Sequence, residues 1–272
     1  MTPLIITVAP NGARRGKADH PAIPLSPDEI GREAARCRET GAAMIHLHVR
    51  DADGRHTLDP DAYRAAIAAV RREAGPDLLI QATTEAVGIY TAEQQMAAMR
   101  ALRPEAFSAA VRELVPDAGA EAAAAGFLAE QARSGTLVQH ILYDAADVAR
   151  FDDLMRRGVI PETNAGVLFV LGRYTAGQQS DPRDLLPFLN AWTRPLPWAV
   201  CAFGRREAAC MAAAAALGGH VRVGFENNMD LPDGTRAPDN AALVSAVATL
   251  APVLGRAVAT PEQARRLFAH TI

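Results

Sequence analysis

Short runs rich in apolar and β-branched residues recur eight times along this 272-residue chain, each followed by a longer stretch with helical spacing, and that alternation leaves few architectures open. The runs are Leu4–Ala9, Met44–Arg50, Leu78–Thr83, Ala106–Val111, Leu137–Tyr143, Gly166–Leu171, Trp198–Phe203 and His220–Glu226. Strands joined through helices pair in parallel, because the chain must cross back over the sheet before it can extend again. Eight such units in about 250 residues are the size of a (β/α)8 barrel, whereas a doubly wound open sheet usually has fewer. The expectation is a single (β/α)8 TIM barrel domain over residues 1–272, with a short extra C-terminal helix, Pro261–Phe268.

Helix starts support this spacing. Ser26-Pro27-Asp28-Glu29, Asp59-Pro60-Asp61, Thr91-Ala92-Glu93 and Asp181-Pro182 each offer a capping oxygen, and Gly41, Gly75, Gly135 and Gly158 stand where helices should stop. The connection from Pro10 to Leu25 is long for a barrel loop and is a candidate lid. With 49% of residues apolar the chain can bury one large core, and a net charge of −3 provides no general attraction for nucleic acid or an anionic membrane. A small-molecule ligand is the expected partner. The apolar run near the start is too short for a bilayer span and is followed by Arg14, Arg15 and Lys17, so no signal peptide or membrane anchor is expected. Cys37, Cys201 and Cys210 are few and lack CxxC spacing, which argues against disulfides and a thiolate zinc site and for a cytoplasmic setting.

Side-chain alternation in the second run puts Ile45, Leu47 and Val49 on one face and His46, His48 and Arg50 on the other. In the eighth run Arg222, Gly224 and Glu226 share a face. Strands of such a barrel are buried on both faces, so imidazoles and charges there need partners, and a metal ion satisfies them. Closure brings the second and eighth strands to either side of the first. His46, His48 and Glu226 then make a two-imidazole, one-carboxylate set of the kind that holds catalytic zinc. Core histidines bonded to neighbours are the bland alternative. Gly224 leaves room on the inner face for a ligand. Thr83, Ser108 and His140 could face the mouth, although Thr is common in strands for packing reasons alone. Gly204-Arg205-Arg206 opens the helix after the seventh strand and suits a phosphate or carboxylate, or is a solvated turn. Asp51-Ala52-Asp53-Gly54 has no glutamate at calcium-loop spacing and reads as a turn.

These motifs resemble the β-keto acid cleavage enzymes nearly end to end. The resemblance rests on Asn11-Gly12-Ala13, Ile45-His46-Leu47-His48-Val49-Arg50-Asp51, Phe169-Val170-Leu171-Gly172, Gly204-Arg205, the block from Gly218 to Glu226, and Ala259-Thr260-Pro261-Glu262-Gln263-Ala264-Arg265. It implies a zinc-bearing barrel, usually a homo-oligomer, that condenses a β-keto acid with acetyl-CoA and releases acetoacetate and a new CoA thioester. It carries zinc binding to His46, His48 and Glu226, anion handling to Arg222, substrate contact to Thr83 and Ser108, and CoA contact to Gly204 and Arg205. Asn227 stands where the family has a catalytic aspartate, Ile141 where a glutamate is expected, and Thr84-Glu85-Ala86 where the family has Thr-Gly-Gly. Glu85 is therefore the candidate replacement carboxylate. Arg14 replaces an acidic residue of the member with an amino-bearing substrate, which implies an anionic or polar substrate tail. Two other functions are open to such a barrel. A metal-dependent hydrolase of the amidohydrolase type wants the histidine pair on the first strand and an aspartate after the eighth, and neither is present. A non-catalytic metal- or metabolite-binding barrel would bind ligand without turnover.

Overall fold

The computed structural model describes residues 1–269. Eight parallel strands form the barrel: β1 (Ile6–Val8), β2 (Met44–Leu47), β3 (Leu79–Thr83), β4 (Ala106–Ala110), β5 (Leu137–Leu142), β6 (Ala165–Leu171), β7 (Trp198–Ala202) and β8 (His220–Val223). They pair in chain order, and β8 closes on β1 through Ile6–Val221, Thr7–Arg222 and Val8–Val223. Around them lie α1 (Pro27–Glu39), α2 (Pro60–Ala74), α3 (Ala92–Leu102), α4 (Glu121–Arg133), α5 (Ala145–Arg156), α6 (Leu186–Ala191), α7 (Glu207–Ala216), α8 (Asn240–Ala248) and the terminal α9 (Pro261–Phe268), with short helical turns between. Among the described residues no helix is long and apolar enough to cross a membrane.

The helix starts follow local chemistry. Ser26 with Glu29 and Thr91 with Gln94 close capping boxes, and Asp59 accepts from the Asp61 N–H with Pro60 at the first helical position. Asp181-Pro182 opens a 3-10 turn, Pro182–Leu185, that leads into α6.

The barrel interior is layered. At the N-terminal end Ile5, Met44, Leu79, Ala106 and Leu137 pack with Ala264 and Phe268 of α9, which plugs the bottom. Outward-facing Ile45 and Leu47 of β2 meet Tyr63 and Val70 of α2 in the larger core between strands and helices. Toward the mouth the interior divides. Ala110, Ile141, Leu168, Val170, Ala199, Cys201 and Phe203 make an apolar side, and His46, Gln81, Gln139 and Arg222 make a buried polar one.

Two strands end sooner than their apolar runs suggest. β2 stops at Leu47, because Val49–Arg50 turns away to pair antiparallel with His56–Thr57 around the Asp51 turn. There Asp51 Oδ1 accepts from the N–H groups of Asp53 and Arg55, as the turn reading requires. β8 stops at Val223, because Gly224 adopts φ +136° and its carbonyl accepts from Asn227 and Asn228 N–H in a tight turn.

Candidate active site at the barrel mouth

The loops at the C-terminal ends of the strands enclose a solvent-open cavity of about 140 Å³. Its walls come from every quarter of the barrel: Arg14 and Arg15 after β1, His46 in β2, Thr83 at the end of β3 with Glu85 just beyond it, Arg173 after β6, and Arg222 with Glu226 at β8.

His46, His48 and Glu226 meet at its floor. Each offers one ligand atom, and these atoms lie within 4.8 Å of one another. His46 Nε2 and His48 Nε2 are 3.1 Å apart, and Glu226 Oε2 is 3.6 Å from the first and 3.2 Å from the second. His46 Nδ1 lies 2.8 Å from Gln81 Oε1, which puts the ring proton on that nitrogen and turns the Nε2 lone pair toward its neighbours. Gln81 is held in turn by Gln139 Oε1 at 3.1 Å. Burial, reinforced by Arg222, lowers the His46 pKa to about 3, so the ring is neutral. Burial works to raise the Glu226 pKa, but Arg222 and the two imidazoles outweigh it and hold the carboxylate well below its ordinary range. Arg222 Nη2 donates to Glu226 Oε1 at 2.9 Å, whereas Glu226 Oε2 has no hydrogen-bond partner among the described residues. Two imidazole nitrogens and an orphaned buried carboxylate oxygen, converging on one point, are the donor set a divalent cation fits.

Glu85 stands above this group. Its Oε2 is 3.9 Å from His48 Nε2, its Oε1 accepts from Arg14 at 2.6 Å, and its N–H donates to Thr83 Oγ1 at 3.1 Å. Gly12, at φ +65°, presses on Glu226, where an added Cβ would lie 2.6 Å from Cγ. The loop from Pro10 to Leu25 forms part of the wall here: Asn11 Nδ2 donates to the carbonyls of Pro24 and His48, and Arg15 to that of Phe225.

Other residues singled out in the sequence lie elsewhere. His140 faces away from the mouth, packed against Phe151 with the rings tilted and their centroids 5.2 Å apart, because Gln139 and Ile141 take the inward phase of β5. The space beside Gly224 belongs to the protein rather than to a ligand: an added Cβ would lie 2.4 Å from the Ala9 carbonyl oxygen and 3.0 Å from Asn240 Oδ1. Asn227 is fully buried outside the cavity lining, with both amide atoms unpartnered among the described residues. Ser108 is inward by its register with Thr83, yet lies below the lining residues with its hydroxyl unpartnered among those described. Gly204 and Arg205 sit beside the cavity, Arg205 reaching the Gly234 carbonyl at 3.3 Å.

Sequence reasoning passed over Gln81, Arg173 and Glu113. Gln81 was within reach, two residues before Thr83 on the same strand face. Arg173 lies on a turn and Glu113 in the one-turn helix Val111–Leu114, and no periodicity reveals the direction of either.

The beta-keto acid cleavage enzyme family profile matches residues 3–269. The chain belongs to that family. The 3-keto-5-aminohexanoate cleavage enzyme of Fusobacterium nucleatum is 33% identical over 98% of each chain. The 3-oxoadipate:acetyl-CoA acetyltransferase of Cupriavidus necator is 31% identical over 98% of this chain and 94% of its own. Apo ObcA superposes with a TM-score of 0.73 at 18% identity, covering 91% of this chain and 65% of that one, and shares the barrel fold. Membership of the β-keto acid cleavage enzymes makes this protein an enzyme, an acyltransferase that breaks a carbon–carbon bond.

Proposed function

We propose that this enzyme is a zinc-dependent single-domain barrel, cytoplasmic and homo-oligomeric, that cleaves a β-keto acid against acetyl-CoA. The products are acetoacetate and a new CoA thioester, and the substrate tail is anionic or polar. The convergence of His46 Nε2, His48 Nε2 and Glu226 Oε2 beneath the cavity carries the reading. An ion bound by these three residues supplies Lewis-acid polarisation of a carbonyl oxygen.

The chain's own residues do the rest. Gln81 fixes the tautomer of His46, and Arg222 holds Glu226 ionised and adds positive charge where an anionic substrate binds. Thr83 contacts substrate from the cavity wall, with Ser108 beneath it. Glu85 takes the proton-accepting role, since the amide of Asn227 cannot act as a base near neutral pH. Gly204 and Arg205 receive CoA at the rim, and Arg14 favours an anionic tail. The named activity of the Cupriavidus necator relative, on 3-oxoadipate, supports that tail chemistry. Incubation of the purified protein with acetyl-CoA and a panel of β-keto acids, read by mass spectrometry, should reveal a new CoA thioester and acetoacetate. Binding across the panel without any product would replace this reading with a non-catalytic binding barrel.

A further inference from the structure

Glu85 spans two parts of the mouth with one carboxylate. Its Oε1 meets two guanidinium groups, Arg14 Nη1 at 2.6 Å and Arg173 Nη2 at 3.6 Å, while its Oε2 points to His48 Nε2 at 3.9 Å. Arg173 enters from the loop after β6, only 19% exposed, with its guanidinium 5.4 Å from the centroid of the Phe203 ring. That contact aims it into the cavity. Among the described residues neither Arg14 nor Arg173 forms an ion pair with any carboxylate other than Glu85. Two cations from opposite walls thus converge on one oxygen position, and the group filling it is the carboxylate of Glu85.

A carboxylate from solution can take that position at little electrostatic cost, because one anion replaces another while both arginines stay paired. We propose that Arg14 and Arg173 form a two-arginine anchor for the second carboxylate of a short β-keto diacid, that Glu85 occupies it in the free enzyme, and that substrate displaces Glu85 toward His48. The proposal rests on the reading of this site as one for β-keto acids with anionic tails. Glu85 also gauges the length. Its single carboxylate group bridges the anchor and the imidazole site, so a diacid with one or two methylenes between keto carbon and second carboxylate reaches both. A longer chain must fold back. Ile141, Val170 and Phe203 offer the methylenes an apolar wall.

The test is equilibrium binding by calorimetry, without acetyl-CoA, of 3-oxoadipate and of 3-oxohexanoate, which has the same number of carbons but no second carboxylate. The zinc-loaded parent should prefer the diacid. Arg173→Ala should collapse that preference about 10- to 100-fold, the loss expected for a charged hydrogen-bonding partner, and Arg14→Ala should do the same if the first variant fails to fold. Glu85→Gln should tighten 3-oxoadipate several-fold, because the resident anion is gone. A parent without preference, arginine variants that weaken both acids equally, or a Glu85→Gln variant that binds the diacid no better would each overturn the anchor. Collapse of the preference in a protein that never converts 3-oxoadipate would sink the proposed reaction and leave the anchor standing. Conversion with the preference intact in both arginine variants would do the reverse.

Discussion

Glu207 is fully buried without an ion pair among the described residues. Its Oε2 accepts from Asn228 Nδ2 at 3.2 Å, its Oε1 has no partner among those residues, and burial lifts its pKa from 4.5 to about 8. Between those values the folded protein holds a proton that the unfolded chain has released, so rising pH drains stability until the folded group itself ionises. Glu207→Gln keeps an acceptor for Asn228 and removes the titration. Its melting temperature relative to the parent should therefore climb from pH 5 to pH 8 and level off above; a difference constant with pH would show that Glu207 is ionised throughout. Glu85 makes a separate prediction. If it accepts the proton, Glu85→Gln should lower kcat about 10²–10⁴-fold while leaving metal content unchanged. Parent-like kcat would remove it from the proton path and return attention to Asn227, where Asn227→Asp should then raise the rate.

At the scale of elements, α9 acts as the floor of the barrel. Phe268 is nearly fully buried against Gly166, where an added Cβ would lie 2.6 Å from the ring. Phe268→Ala should cost about 3–5 kcal/mol, measured by urea unfolding, because the strand ends around it cannot collapse into the space. A loss under about 1 kcal/mol would mean that the helix merely rests on the barrel. The terminal helix, the eight strands and the His-x-His face were legible in the sequence, though not the helix's place under the barrel, because apolar runs, capping residues and period-two alternation act within a few residues of one another. His140 could not be assigned to either face for a related reason. Period two divides a strand into two faces but does not say which is inside, and on β5 the register of His140 with Ala109 and Val167 decides it. The partners of Gly224 were hidden similarly: the Ala9 carbonyl that requires a glycine lies on the far end of the chain, brought near only by closure. Arg173 is part of no motif, and its aim into the cavity comes from the Phe203 ring, thirty residues away in the chain.

For the whole molecule, the placement of the three candidate ligands makes the proposed metal a closure device as well as a catalytic group. His46 lies in β2 and His48 just beyond it, while Glu226 follows β8, and those strands flank β1 without pairing with each other. A metal held there ties the two sides of the seam where the chain's first and last barrel strands meet. Binding to the folded state alone adds about 4 kcal/mol when free metal is a thousandfold above its dissociation constant. For a chain of this size each kcal/mol moves the melting temperature about 2–4 °C, so a chelator should lower it by roughly 10 °C. His46→Ala, lacking one ligand, should begin near the chelated value and respond little to further chelation. Equal responses to chelator in parent and variant, alongside unchanged zinc content by elemental analysis, would place the metal elsewhere and leave the two imidazoles as partners of Gln81 and Glu226 alone.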